Sequence, residues 1–239
     1  MEIFKQYLIE IQNKHYMVSL KKFLMEEQKS GRTYIPQSQD IFSSLQLCSF
    51  EKLKVVILGT EPYCDKGIPN GLAFSTHSSD LTIELKCIFR EVWSSFKQRM
   101  IERYTKEINL KEINPNAFFQ TGDLSQWAQQ GVLLLNTSMT VEENMPLSHQ
   151  KKGWGNFISE LITFISTSKE HLVFMLWGEI PKKFRKYIKR EECHLILEAG
   201  HPSPNSKEWF GKHHFNETDK FLNKHNMLPV IWWLKNENT

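Results

Sequence analysis

Four short apolar runs punctuate the chain. They are Lys54–Leu58, Gly131–Asn136, Leu172–Trp177 and His194–Glu198. Each is too short for a helix and reads as a buried strand. Between them the apolar positions fall at helical spacing. Ile3, Phe4, Tyr7, Leu8 and Ile11 predict one or two amphipathic helices over residues 2–28. Ile83, Ile88, Phe89, Val92, Trp93 and Phe96 predict another over 82–104. Further helices are expected at Ile41–Leu47, 154–167, 180–190 and 215–225. Residues 29–40 and the Gly67–Gly71 stretch read as loops. Residues 105–122 carry no periodicity, and Val230–Leu234 forms a short apolar tail. Strands alternating with helices predict an α/β fold, with a central four-stranded parallel sheet flanked by helices on both faces.

Composition adds boundaries to that picture. The 239 residues contain no Gly/Ser-rich, Pro-rich or like-charge linker, so one domain over 1–239 is expected, with a helical N-terminal part at 1–50. The net charge of +3 permits a nucleic-acid partner without demanding one. Lys182, Lys183, Arg185, Lys186, Lys189 and Arg190 crowd one segment, as either a phosphate-facing patch or a solvated face. The four cysteines are scattered and lack zinc spacing, which predicts no metal and a reducing compartment. The longest apolar run is strand-sized, and no signal-like core follows Met1. A soluble cytoplasmic protein is expected.

Side chains just past parallel strands emerge at one edge of the sheet, where open α/β folds bind ligands. Glu61 and Tyr63 follow the first run, Asn136 ends the second and His201 follows the fourth. Glu61 can orient or deprotonate a water. The Asn136 amide offers a donor and an acceptor in one plane, matching the edge of a heterocycle. Phe74 and Tyr63 offer ring surfaces. His201 can donate to an oxygen gaining charge. The set suits hydrolysis of an N-glycosidic bond. Taken singly, each has a blander explanation as a cap, a turn residue or core.

The order of motifs resembles the family 1 uracil-DNA glycosylases across most of residues 54–233. Gly59-Thr60-Glu61-Pro62-Tyr63-Cys64 is similar to that family's water-activating motif, Gly-Gln-Asp-Pro-Tyr-His. Gly71–Ser75 is similar to the segment with the stacking Phe, and Trp127–Thr137 to the uracil-reading strand. Ser148-His149, Gly153-Trp154, His201–Pro204 and Phe210–Phe215 match in order. The resemblance implies a monofunctional DNA glycosylase that flips its target base out of single- or double-stranded DNA and leaves an abasic site. Phe74 stacks on the base, Tyr63 crowds its C5, Asn136 bonds its Watson–Crick edge, His201 stabilises O2 and Glu61 holds the water. Thr60 and Cys64 complete the base pocket. Ser148, Ser203, Pro204, Asn205 and Ser206 meet the DNA. No cofactor, metal or membrane is implied, and a monomer is expected.

The departures sit in the site. Glu61 replaces Asp, and a misplacement of about 1 Å is enough to cost about a hundredfold in rate. Cys64 replaces His, Thr60 replaces Gln, and Asn205 stands where the family has an intercalating Leu. Asn is a poor wedge between bases, which makes Trp209 the candidate to insert instead. Altered substrate choice is one consequence. The alternatives are excision of a 5-hydroxymethylated or glucosylated cytosine from phage DNA in antiviral defence, and a non-catalytic DNA-binding protein on this fold.

Overall fold

The computed structural model describes residues 2–65, 67–78, 80–103 and 119–234. Two helices, α1 (Glu2–Gln12) and α2 (His15–Lys29), lead to a two-residue strand β1 (Tyr34–Ile35) and a short helix α3 (Ser43–Leu47). Then come β2 (Val55–Gly59), the long α4 (Ile83–Arg103), α5 (Ser125–Gln129), β3 (Val132–Asn136) and β4 (Val141–Glu142). The chain continues through α6 (Trp154–Ser168), β5 (Val173–Trp177), α7 (Glu179–Lys182), β6 (Leu195–Ala199) and α8 (His214–Lys224).

The four expected strands form one parallel sheet in the order β3-β2-β5-β6, and β1 pairs antiparallel with β4 apart from it. Side-chain alternation divides the sheet between two cores. Val55, Ile57, Leu134 and Met175 face α4, α5 and α8. Val56, Leu58, Leu133, Leu135, Phe174 and Leu176 face α1, α2 and α6. The central strands β2 and β5 and the edge strand β3 are buried on both faces, which is why they read as unbroken apolar runs rather than alternating ones. On α6, Phe157, Ile158, Leu161, Ile162 and Ile165 are all buried. Each such side chain contributes about 1.5–3 kcal/mol. The apolar tail runs extended beside Phe119, and Trp232 is held by its Nε1–H donating to Asp219 Oδ1 at 3.1 Å.

Register decides where the site lies. Gly59 pairs with Asn136, and Trp177 with Ala199, so the strands end level at one edge.

The basic segment is not one helix. After α7, residues Arg185–Tyr187 form a separate 3₁₀ turn. Phe184, Tyr187 and Ile188 all pack on the α6 side of the sheet. Three of its cations are already ion-paired: Lys182 with Glu179 and Glu208, Arg185 with Glu191 and Glu198, and Arg190 with Glu170. Of the unassigned 105–122 stretch, residues 105–118 lie outside the described residues.

Trp209 is a correction. It is only 1% exposed, with its ring edge-on to Trp177 at 4.8 Å and its Nε1–H donating to the Cys87 carbonyl at 3.2 Å. It belongs to the core and is not placed to enter DNA. Tryptophan at a loop end has the same letter whether it anchors the loop or projects from it. Trp209→Ala is expected to lower unfolding free energy by about 3–5 kcal/mol, measured by urea denaturation.

Candidate active site

The site begins where β2 stops. Thr137 N–H donates to the Gly59 carbonyl at 2.9 Å. The Thr60 carbonyl then accepts from Ser138 N–H at 2.9 Å and from Thr137 Oγ1 at 2.7 Å. These bonds clip the turn carrying Glu61 and Tyr63 to the end of β3. Beyond this clip opens a cavity of about 290 Å³, walled by Thr60, Glu61, Tyr63, Cys64, Phe74 and His201. Residues brought from three separate stretches therefore meet there, as expected. Asn136 does not share that wall. It lies on the floor behind, beside Gly59 and Phe74, and lines an adjoining water-sized space of about 10 Å³ with Pro62 and Leu72.

Gly59 makes this packing possible. A Cβ on it would lie 2.7 Å from Asn136 Oδ1 and 2.9 Å from Phe74 Cε2. Asn136 is 7% exposed, and its Oδ1 is buried with no hydrogen-bond partner. A buried orphan acceptor is costly unless something supplies a donor. Phe74 adopts φ +65°, an unfavourable backbone for a bulky residue. Its ring leans on Trp177 at 5.5 Å and lies 6.2 Å from His201. Strain of this kind concentrates at functional sites.

Glu61 is half-buried, and both its carboxylate oxygens accept from Leu147 N–H at 2.9 Å. Burial pushes its pKa above the usual carboxylate range, and the Leu147 bond offsets part of that rise. Leu147 also has positive φ, +63°, in a turn closed by Ser148 N–H donating to the Met145 carbonyl at 3.3 Å. Beneath that turn His149 is buried. Trp154 Nε1–H donates to Thr140 Oγ1 at 2.6 Å, leaving the Thr140 hydroxyl to donate to His149 Nδ1 at 2.9 Å. Burial lowers the His149 pKa to about 4, so this support is neutral. His201 stands at the rim. Its partial burial lowers its pKa, opposed by the nearby Glu84 carboxylate, so it is a neutral donor at neutral pH.

The expected DNA-contacting residues lie on two loops. Pro204 and Asn205 form an exposed tip in a turn closed by Ser206 N–H to the Ser203 carbonyl at 3.1 Å. Ser148 Oγ accepts from Glu142 N–H at 2.8 Å, which leaves its own proton to donate outward. Sequence reasoning missed Leu147, Thr137, Glu84 and Asp65. Glu84 reaches the cavity from the first turn of α4, and Asp65 from the turn after Cys64. An acidic residue opening a helix is an ordinary preference and signals nothing by itself.

A half-buried carboxylate, a neutral imidazole and an aromatic ring on one cavity, with an amide beside them, are groups that suit hydrolysis of an N-glycosidic bond. A family model, the Uracil DNA glycosylase superfamily, matches residues 45–224. A uracil-DNA glycosylase of Amoebophilus asiaticus is 40% identical over 231 residues, spanning 95% of this chain and 96% of that protein. One from Acinetobacter baumannii strain AYE is 38% identical, spanning 92% and 86%. In fold, the crystal structure of mimivirus uracil-DNA glycosylase overlays with a TM-score of 0.79 at 22% identity, covering 97% of this chain and 86% of that one. The Nitratifractor salsuginis UNG structure overlays at 0.56 and 16% identity, covering 90% and 89%. The chain belongs to the uracil DNA glycosylase superfamily, and it is a monofunctional N-glycosylase.

Proposed function

We propose that the protein removes uracil from DNA, hydrolysing the bond between uracil N1 and the deoxyribose C1′ and leaving an abasic site. The observation that carries this reading is the orphaned, buried Oδ1 of Asn136 beside the Phe74 ring. It calls for a donor in the plane of a stacked heterocycle, and uracil supplies one in N3–H. The two relatives at 40% and 38% identity are named uracil-DNA glycosylases, which supports the same substrate.

The target nucleotide turns out of the stack into the cavity. Phe74 stacks on the base and Tyr63 stands against its C5. As the N1–C1′ bond breaks, the electron pair stays on the base, and negative charge grows on O2. The neutral His201 donates its N–H to that oxygen. The sugar becomes cationic at C1′ and is met by a water held at Glu61, which takes the water's proton. Among the described residues lining the cavity none is a lysine, which supports attack by water rather than by an amine. Ser148, Ser203 and Ser206 contact backbone phosphates, and the Pro204–Asn205 tip occupies the space the base vacates.

A 5-hydroxymethylated or glucosylated cytosine is favoured less. The Tyr63 hydroxyl is tied at two points, to the Phe74 carbonyl and to Thr82, so the ring is not free to yield to a C5 substituent. The deciding test uses oligonucleotides carrying uracil, thymine, cytosine and 5-modified pyrimidines, followed by alkali. Scission is expected at uracil. Scission only at modified cytosines would replace uracil as the substrate, and none on any strand would overturn the reading.

A further inference from the structure

We propose that Thr82 sets the enzyme's selectivity against 5-substituted pyrimidines, acting through Tyr63 without lining the cavity itself. This rests on the reading above, in which Tyr63 faces the C5 edge of the base. Thr82 immediately precedes α4. Its Oγ1 accepts from Leu85 N–H at 3.2 Å, as a helix-capping side chain does. Its hydroxyl hydrogen is then left for the Tyr63 oxygen, 2.7 Å away. The Tyr63 hydroxyl in turn donates to the Phe74 carbonyl at 3.2 Å. The relay runs in one direction, from Thr82 through Tyr63 to Phe74, and every hydrogen in it has an acceptor. Burial pushes the Tyr63 pKa up, so the phenol keeps the proton that the relay needs.

The relay fixes Tyr63 at both ends, at its backbone on the Glu61 turn and at its hydroxyl on α4. The small neighbours Thr60 and Cys64 leave space on the same cavity wall. An unclamped ring would swing toward that space and admit a methyl or hydroxymethyl group. The clamp keeps it in place. The same bond also holds the backbone of Phe74, so one hydroxyl aligns both the steric gate and the stacking ring. Thr82 is thus a positioning residue for the selectivity of the reaction.

One missing or extra methyl-sized group in a pocket is commonly discriminated by about 10–200-fold. The readout is the ratio of kcat/KM for uracil to that for thymine and for 5-hydroxymethyluracil in the same duplex. Thr82→Val is expected to lower that ratio by about tenfold, within the range cited for such a group. Thr82→Ser, which keeps the hydroxyl, is expected to retain it. Thr82→Val also removes the Leu85 cap, and a loss of folded protein would lower all substrates in proportion without moving the ratio. Tyr63→Phe leaves the cap intact but removes both bonds of the relay, so it is expected to lower the ratio at least as far, with no further fall in the double variant. An unchanged ratio in Tyr63→Phe and Thr82→Val overturns the proposal. Should the wild type cleave no uracil, the functional reading fails, and the clamp is still decided by NMR. Tyr63 ring flips are expected to be slower in wild type than in Thr82→Val, and equal rates would overturn it.

Discussion

Glu61→Gln is expected to leave a folded protein whose single-turnover release of uracil is slower by about 10²–10⁴-fold, the usual contribution of a positioned base. Glutamine keeps the length of the side chain and can still accept from Leu147 N–H, where both carboxylate oxygens now lie at 2.9 Å. It cannot take a proton from water. Single-turnover kinetics is the measurement, because it isolates chemistry from product release. The pH profile gives an independent reading. The carboxylate works only when ionised, so the wild-type rate falls as pH drops through the Glu61 pKa. Burial raises that pKa, so the acid limb lies above the ordinary carboxylate range. In Glu61→Gln that limb is expected to disappear. Unchanged rates in the variant would show that Glu61 holds no reacting water. The Leu147 bond also addresses the extra methylene of Glu relative to the family's Asp. The longer side chain is tethered at its far end by a backbone amide, which fixes its carboxylate in place.

Gly59→Ala is expected to be equally severe, although Gly59 has no side chain and performs no chemistry. The new Cβ would need the space held by Asn136 Oδ1 at 2.7 Å and Phe74 Cε2 at 2.9 Å. Neither neighbour yields easily. Asn136 ends a fully buried strand in register with Gly59, and Phe74 is backed by Trp177 at 5.5 Å. Overpacking costs about 1–3 kcal/mol of stability. The larger effect is on rate, since a shift of about 1 Å in the base-reading group costs about a hundredfold. The checks are kcat/KM on a uracil oligonucleotide and the urea midpoint of the same preparation. Full activity in Gly59→Ala would mean that Asn136 and Phe74 are not held in their working positions by this contact.

The sheet was readable in the chain because strands buried on both faces must be apolar throughout, and Val55–Leu58, Val132–Leu135 and Val173–Trp177 are. The half-exposed edge strand β6 is expected at His194–Glu198 and lies at Leu195–Ala199, one residue on, because half-exposed strands carry a weaker signal. Glu61, Tyr63, Phe74 and His201 were identified as pocket residues, and they line one cavity. The 180–190 helix and the insertion of Trp209 were misread for one reason. Helical spacing and an aromatic at a loop end describe what a residue is able to do, whereas long-range packing selects which option it takes.

The amino-acid sequence by itself determined the parallel sheet, the helices on both faces and the polar residues that follow each strand. Those follow from local periodicity and from the rule that parallel strands end at one edge. Only the tertiary structure decided what those residues meet. It brought Leu147 N–H to Glu61 across 86 positions, set Asn136 beside Phe74 in an adjoining space rather than on the cavity wall, tied Tyr63 to Thr82 and sank Trp209 into the core. Each of these is a contact between distant segments. Its partner is chosen by the register and twist of the whole sheet and leaves no local mark in the chain.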